Sequence, residues 1–241
     1  MFTGKNALSG YNKINMYELP IFPLNTVLFP GMPLQLQVFE DRYKVMLQRV
    51  LQTNQIFGIC LIRRGEEAFG PLPEPYLVGC TARVIKVDPQ ENGIIHLTVV
   101  GDERFRILHL AAVQPYLTGF VESLPLEGPS SIEVARGAQV LRKRLVEYLK
   151  VLAHHAAKEG EEYHVDTNLA ALQLPDDALM LTYLAAALLQ VPAHEKQPLL
   201  EAESAQQLLT LAQRLYRREL ALLPDVLAVS DEQASAMAMV N

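Results

Sequence analysis

Hydrophobic residues follow two different periods along this chain, and the change of period divides it. Up to about residue 124 apolar positions come in short runs that alternate with polar ones, and beyond about residue 130 they recur every three or four residues. In the first part Leu34, Leu36 and Val38 alternate with Gln35 and Gln37, the pattern of a strand with one wet face. Pro20, Pro23, Pro30 and Pro33 each remove a backbone donor, so the strands around them are expected to be short, broken or at a sheet edge, with Pro30-Gly31 as a turn. The period then switches to helical from Asp41 to about Gln52, where Tyr43, Met46, Leu47, Val50 and Leu51 share a face. Glu40, Asp41 and Arg42 stand at its start as a cap or an ion pair. Further strands are predicted over 56–62, 77–87, 94–100, 105–113 and 117–124, and Asn92-Gly93 marks a hairpin in which both residues tolerate positive φ. Six or more short strands hide their edges best by closing on themselves.

Glu127-Gly-Pro-Ser130 ends the strand texture. Ser130 and Glu133 have capping-box spacing, which predicts a helix to about Lys158, with Gly160 beyond its end. Val134, Ala138, Leu141, Leu145, Tyr148, Leu149 and Leu152 form its apolar stripe, and Arg142, Lys143, Arg144 and Lys150 its solvent face. A second helix over 179–190, capped by Asp176 or Asp177, is apolar nearly all round and belongs in the centre of a bundle. A third spans about 193–202, and a fourth 204–222 is opened by Ser204 and Gln207 and closed by Pro224. The expected organisation is α+β: a leader over 1–15, a strand domain over 16–124, a helical bundle over 130–225 and a tail over 226–241.

The segment F-P-L-N-x-V-L-F-P-G-x-x-L-x-L-x-V-F-E-x-R-Y, ending at Tyr43, resembles the start of the Lon protease N-terminal domain family. The likeness continues through Phe57-Gly58, Val78-Gly79-Cys80-Thr81-Ala82, Gly101-Asp-Glu-Arg-Phe-Arg-Ile107 and Tyr116 leading into Phe120-Val121-Glu122. That resemblance implies a PUA-like β-barrel followed by an α-helical bundle. It also implies a non-catalytic substrate-recognition protein that binds unfolded or misfolded polypeptide, with an adaptor role in proteolysis beside a separate Lon protease. A small-molecule or RNA reader on the same type of barrel is the alternative.

Composition narrows the choice. Of the 241 residues half are hydrophobic, and the net charge of -6 falls on the second half: residues 1–124 carry 11 basic and 11 acidic side chains, residues 125–241 carry 10 and 16. Nucleic-acid binding calls for a net basic surface, so none is expected. Nothing approaches the roughly 18 unbroken apolar residues of a membrane span, and the first residues lack a secretory signal, so a cytoplasmic protein without membrane association is expected. Cys60 and Cys80 lie in apolar strands and read as packing residues.

Candidate chemistry is sparse. Gly4-Lys5 lacks the rest of a phosphate cradle, so no nucleotide or other cofactor is expected. Gly128-Pro129-Ser130 mimics a serine-protease tripeptide, yet no lysine lies between Lys158 and Lys196 to take the serine proton. His154, His155, Glu159, Glu161, Glu162 and His164 make a metal-like cluster that reads as a solvated helix end. His96, His109 and His194 are isolated. The loop 65–77 differs in kind: Phe69, Leu72 and Tyr76 are interleaved with three prolines, which lower the ordering cost of binding. Phe69, Leu72 and Tyr76, with Met32 from the opening segment, are the candidate binding residues; the same side chains could instead tuck onto the strands.

Overall fold

A computed structural model describes residues 16–111, 115–158 and 173–238. The chain runs β1 (Met16–Leu24), β2 (Pro33–Val38), α1 (Asp41–Leu51), β3 (Ile56–Arg64), β4 (Glu74–Pro75), β5 (Val78–Pro89), β6 (Ile95–Ala111), β7 (Leu117–Ser123), α2 (Ile132–Lys158), α3 (Ala178–Leu188), α4 (Ala193–Leu200) and α5 (Ala205–Ala238). This is a mixed fold with one seven-stranded, largely antiparallel sheet in the order β1-β7-β6-β5-β3-β4. A parallel pairing of β1 with β3 connects the two sides of that path, and β2 pairs with β6 off it.

Proline placement explains the form of β1. Residues 16–21 pair with β7 and residues 21–24 with β3, so Pro20 and Pro23 each fall where the strand has only one partner and a free side for the absent donor. The expected Pro30-Gly31 turn is present. Phe29 O accepts from Met32 N at 3.1 Å, and Gly31 takes φ +76. Gly31 N then donates to Gly101 O at 2.8 Å while Gly101 N donates to Met32 O at 2.9 Å, a glycine bulge that sets β2 against β6. A Cβ on Gly101 would lie 2.2 Å from Phe29 O, so only glycine allows this approach.

Strand β6 is one element of 17 residues where the polar Gly101-Asp-Glu sequence predicts a break between two. The Thr81 hydroxyl supplies the missing continuity, accepting from Glu103 N at 2.9 Å and donating to Glu103 O at 3.2 Å beside a register shift in β5. The β5–β6 hairpin is also longer than two residues. Only Gly93 takes positive φ, at +78; its N–H donates to Gln90 O, and Asn92 Oδ1 accepts from Ile94 N at 3.0 Å. Asn92 therefore acts through its side chain.

Among the helices, Ser131 and not Ser130 caps α2, its Oγ accepting from Val134 N at 3.2 Å. Asp177 caps α3, its Oδ1 accepting from Met180 N at 2.8 Å. Pro224 does not close the last helix: α5 continues through it to Ala238, at the cost of one rung of its hydrogen-bond ladder. Arg142 and Arg144, expected in solvent, are partly buried and cap neighbouring backbone. Arg142 donates to Leu174 O and Pro175 O, and Arg144 to Gln213 O at 3.1 Å. The long aliphatic stems make this possible, carrying a charged head across apolar surface to carbonyls that need donors.

One core runs through both halves of the chain. Phe22, Phe29, Tyr43, Met46 and Val99 from the strand region belong to the same buried cluster as Leu141, Tyr148, Leu181, Tyr183, Leu208 and Tyr216 from the helices. A smaller cluster lies under β1, β3, β6 and β7 and comprises Leu19, Ile21, Cys60, Phe105, Ile107, Leu117 and Val121. Cys60 and Cys80 are both buried free thiols. Polar ties cross the same boundary: Arg104 Nη1 donates to Leu200 O and Ala202 O, and Gln197 Nε2 to Val78 O at 3.0 Å.

Candidate functional site

Strand β2 and the loop between β3 and β4 enclose an apolar groove of about 390 Å³. Leu34, Gln35, Leu36, Gln37, Val38 and Phe39 form one wall in unbroken succession, Asn25, Thr26, Glu67 and Ala68 face them, and Phe22, Leu24 and Tyr43 lie beneath. Side chains of a strand alternate between its faces, so a groove on one face would be lined by every second residue. Lining by all of them means that this groove follows the edge of β2. The half-buried Leu34 and Leu36 line it rather than closing over the core.

Two hydrogen bonds tie the opposing loop down, and an ion pair orients the side chain that makes the second. Glu67 Oε2 accepts from Asn25 N at 2.9 Å. Arg42, from the first turn of α1, pairs with Glu40 at 2.7 Å and donates to Gly70 O at 3.0 Å. Its guanidinium also lies 5.1 Å from the Tyr43 ring centroid. Glu40 and Arg42 thus form the ion pair that their sequence position allows, and Glu40 makes no side-chain cap.

Next to the groove, in a shallow depression shared with Phe39, the loop presents Phe69, 88% exposed and at φ +62. An aromatic residue in the left-handed region is uncommon and strained by about 1–3 kcal/mol. Its ring stands 5.5 Å from that of Phe39, itself 39% exposed, so two aromatic faces stay in water side by side. Burial of the pair by a partner would remove apolar area from water, whereas the exposed rings contribute almost nothing to the stability of the isolated chain.

The other sequence candidates separate. Leu72 is partly buried against the smaller core cluster, and Tyr76 is half-buried with its N–H donating to Leu61 O at 2.8 Å. Met32 is buried in the main core behind the Pro30-Gly31 turn. The structure therefore sets Phe69 beside the groove, against Phe39, which lines both the groove and the shallow depression next to it, and places Leu72, Tyr76 and Met32 away from the lining. Phe39, Tyr43 and the edge of β2 are not among the binding residues that the sequence suggests. Their signal was the Pro33-Leu-Gln-Leu-Gln run, whose leading proline and exposed glutamines mark an edge.

The Tyr43 hydroxyl is buried at the groove floor without a hydrogen-bond partner among the described residues. Burial pushes its pKa up, opposed by the adjacent Arg42 guanidinium, so it is a neutral donor and acceptor. A second depression of about 740 Å³ lies between α4 and α5 and is different in character, rimmed by Arg214, Arg217 and Arg218. The His154–His164 cluster lies, apart from His154, outside the residues with described side chains. Among the described residues no group of histidine, cysteine or carboxylate side chains could hold a metal ion, and no helix is long and apolar enough to cross a membrane.

Comparison with known proteins agrees with this architecture. The family model for the ATP-dependent protease La (LON) substrate-binding domain matches residues 18–218. Lon protease of Anaeromyxobacter dehalogenans and Lon protease 2 of Myxococcus xanthus are each 30% identical over 223 residues, which cover 91% of this chain and 25% of the relative. The chain thus spans about a quarter of the length of these relatives. Among solved structures, the Lon N-terminal domain protein from Xanthomonas campestris superposes with a TM-score of 0.58 at 24% identity, covering 80% of this chain and 95% of that one. The N-terminal domain of Mycobacterium avium complex Lon protease gives a TM-score of 0.56 at 18% identity, covering 83% and 98%. These two likenesses establish the fold.

Proposed function

Since the chain belongs to the LON substrate-binding domain family, we propose that it binds unfolded or misfolded polypeptide by apolar contact at the β2 groove and carries out no chemistry on it. The observation that supports this most is the Phe39–Phe69 pair, two exposed aromatic rings displayed on a strained, tethered loop beside an apolar cleft. Strain retained at an exposed position is best understood as function, because a glycine there would remove it. Leu72 and Tyr76 support the loop from behind in this reading. The closed pairing of β1, β7, β6, β5 and β3 is taken as the PUA-like barrel, with the domain boundary at 124–130 and the helices beyond it as a bundle. A further part of the proposal is that the protein presents such clients to a Lon protease.

Burying one aromatic side chain is worth about 1.5–3 kcal/mol before ordering costs, so losing either ring should weaken binding about tenfold or more. The test is fluorescence anisotropy with a labelled, permanently unfolded protein, reduced and alkylated, against wild type and the Phe39→Ala/Phe69→Ala double variant. Tight binding by wild type, weak binding by the variant and little binding of the folded client are expected. Equal capture of folded and unfolded client, or an unaffected double variant, would reject the proposal.

A further inference from the structure

The groove's position along a strand edge specifies how a polypeptide would enter it. In the β2–β6 ladder the pairs run Leu34↔Val99, Gln35↔Thr98, Leu36↔Leu97 and Gln37↔His96. Antiparallel pairs alternate between those that exchange hydrogen bonds and those whose N–H and C=O groups point away. The bulge sets the phase, because Gly101 N donates to Met32 O. Even-numbered residues of β2 therefore bond β6, and the N–H and C=O of Gln35 and Gln37 point the other way. Pro33, with no donor to offer, falls on the same outward phase, where that absence costs the ladder nothing. No strand among the described residues pairs with this side of β2. The outward groups face the groove that Leu34 through Phe39 line.

Charge selects among extended segments. Glu40 and Glu67 are the ionisable carboxylates in the lining, and no lysine or arginine lines it. Arg42 answers Glu40 from outside, at 2.7 Å. Among the described residues Glu67 accepts a neutral backbone N–H from Asn25. The groove wall is thus apolar with an acidic edge, and the unpartnered Tyr43 hydroxyl waits at its floor.

Resting on the polypeptide-binding reading, we infer that the client segment binds as an added β-strand on the outer edge of β2. Its backbone pairs with Gln35 and Gln37, an apolar or aromatic side chain enters the groove between Phe39 and Tyr43, and Lys or Arg residues flank it. Main-chain pairing gives sequence-tolerant affinity, and the groove and its carboxylates give the preference. Such a mode suits unfolded chains, whose backbone donors and acceptors are free, and excludes folded ones.

The test uses nine-residue labelled peptides with a central Phe-containing apolar run, titrated into the 241-residue chain. Two peptides carry backbone N-methyl groups on alternate residues, one set in each phase. One phase should lose at least tenfold in affinity and the other should retain it, because only alternate N–H groups of an added strand face β2. Replacing the flanking lysines by glutamates should weaken binding several-fold at low salt and less at high salt. Equal tolerance or equal loss for the two phases, or tighter binding by a helix-stapled version, would overturn strand addition. The Phe39→Ala/Phe69→Ala variant separates the two ideas: if it binds every peptide as wild type does, the groove reading fails as well. If it weakens all of them while the N-methyl phases stay equivalent, only strand addition fails.

Discussion

Arg104→Met is a sharp test of how the two halves of the chain hold together. Arg104 is only 3% exposed, and its Nη1 lies 2.6 Å from both Leu200 O and Ala202 O at the end of α4. Burial lowers its pKa, and the titratable groups that act on it are Tyr183 and Cys80, both neutral, and Arg106, none of them a carboxylate. Its counter-charge is therefore the negative end of α4, whose last carbonyls have no partner within the helix. Methionine approximates the stem and removes the donors. Each hydrogen bond from a charged group contributes about 1.5–3 kcal/mol, but desolvating the guanidinium costs several kcal/mol, so the sign turns on what remains behind. What remains is two buried carbonyls without donors, at about 1–3 kcal/mol each. A net loss of about 2–4 kcal/mol is expected, read as a lower urea midpoint by far-UV circular dichroism at unchanged slope. Arg104→Lys should recover part of it, since one ammonium can reach one carbonyl. A methionine variant as stable as wild type, or more so, would show that the desolvation cost dominates and refute the argument.

Three further outcomes follow from other parts of the structure. Gly101→Ala should destabilise by several kcal/mol or prevent folding, since the added methyl meets the Phe29 carbonyl at 2.2 Å; a thermal midpoint within a few degrees of wild type would contradict this. Phe69→Gly should raise stability by about 1 kcal/mol, by relieving the positive φ, while lowering affinity for unfolded polypeptide; loss of both together would mean that the ring packs structurally. Burial raises the pKa of Cys60 and Cys80 above the usual thiol value of 9.0, and that of Tyr183 from 10.0 to about 12. Unfolding then releases protons at alkaline pH, so this stabilisation is complete below pH 9 and is lost as pH rises from there through about 12. Urea midpoints that hold steady between pH 8.5 and 11, or native-state thiols that react as fast as free cysteine with a disulfide reagent, would argue against it.

Legibility in the sequence tracked the range of the interaction responsible. Local rules sufficed for α1, whose buried Tyr43, Met46, Leu47 and Val50 share one face, for the Pro30-Gly31 turn and for the Asp177 cap. They sufficed for the apolar α3, which buries Leu181, Tyr183, Ala185 and Ala186. They failed where a distant partner decides. Gly101-Asp-Glu reads as a turn until the Thr81 hydroxyl, 22 residues earlier, bonds both the N–H and the C=O of Glu103. Arg142 and Arg144 read as solvent residues until the carbonyls of Pro175 and Gln213 come within reach. Arg104 lay in the segment that carried the family resemblance, but its task of joining β6 to α4 spans 96 residues and no periodicity encodes it. At the site, Phe69 was visible as an apolar residue in a proline-rich loop. Phe39, Tyr43 and the outward edge of β2 were not, because the groove exists only once the 65–77 loop is drawn across by Arg42 and Asn25.

Amide hydrogen exchange of the protein, with and without a saturating unfolded client, tests the central claim most directly. Slowed exchange at Gln35 and Gln37 and through residues 65–77, with little change in α2 or α5, is the predicted result. Protection that falls on the helices and leaves β2 and the Phe69 loop as exposed as before would contradict it.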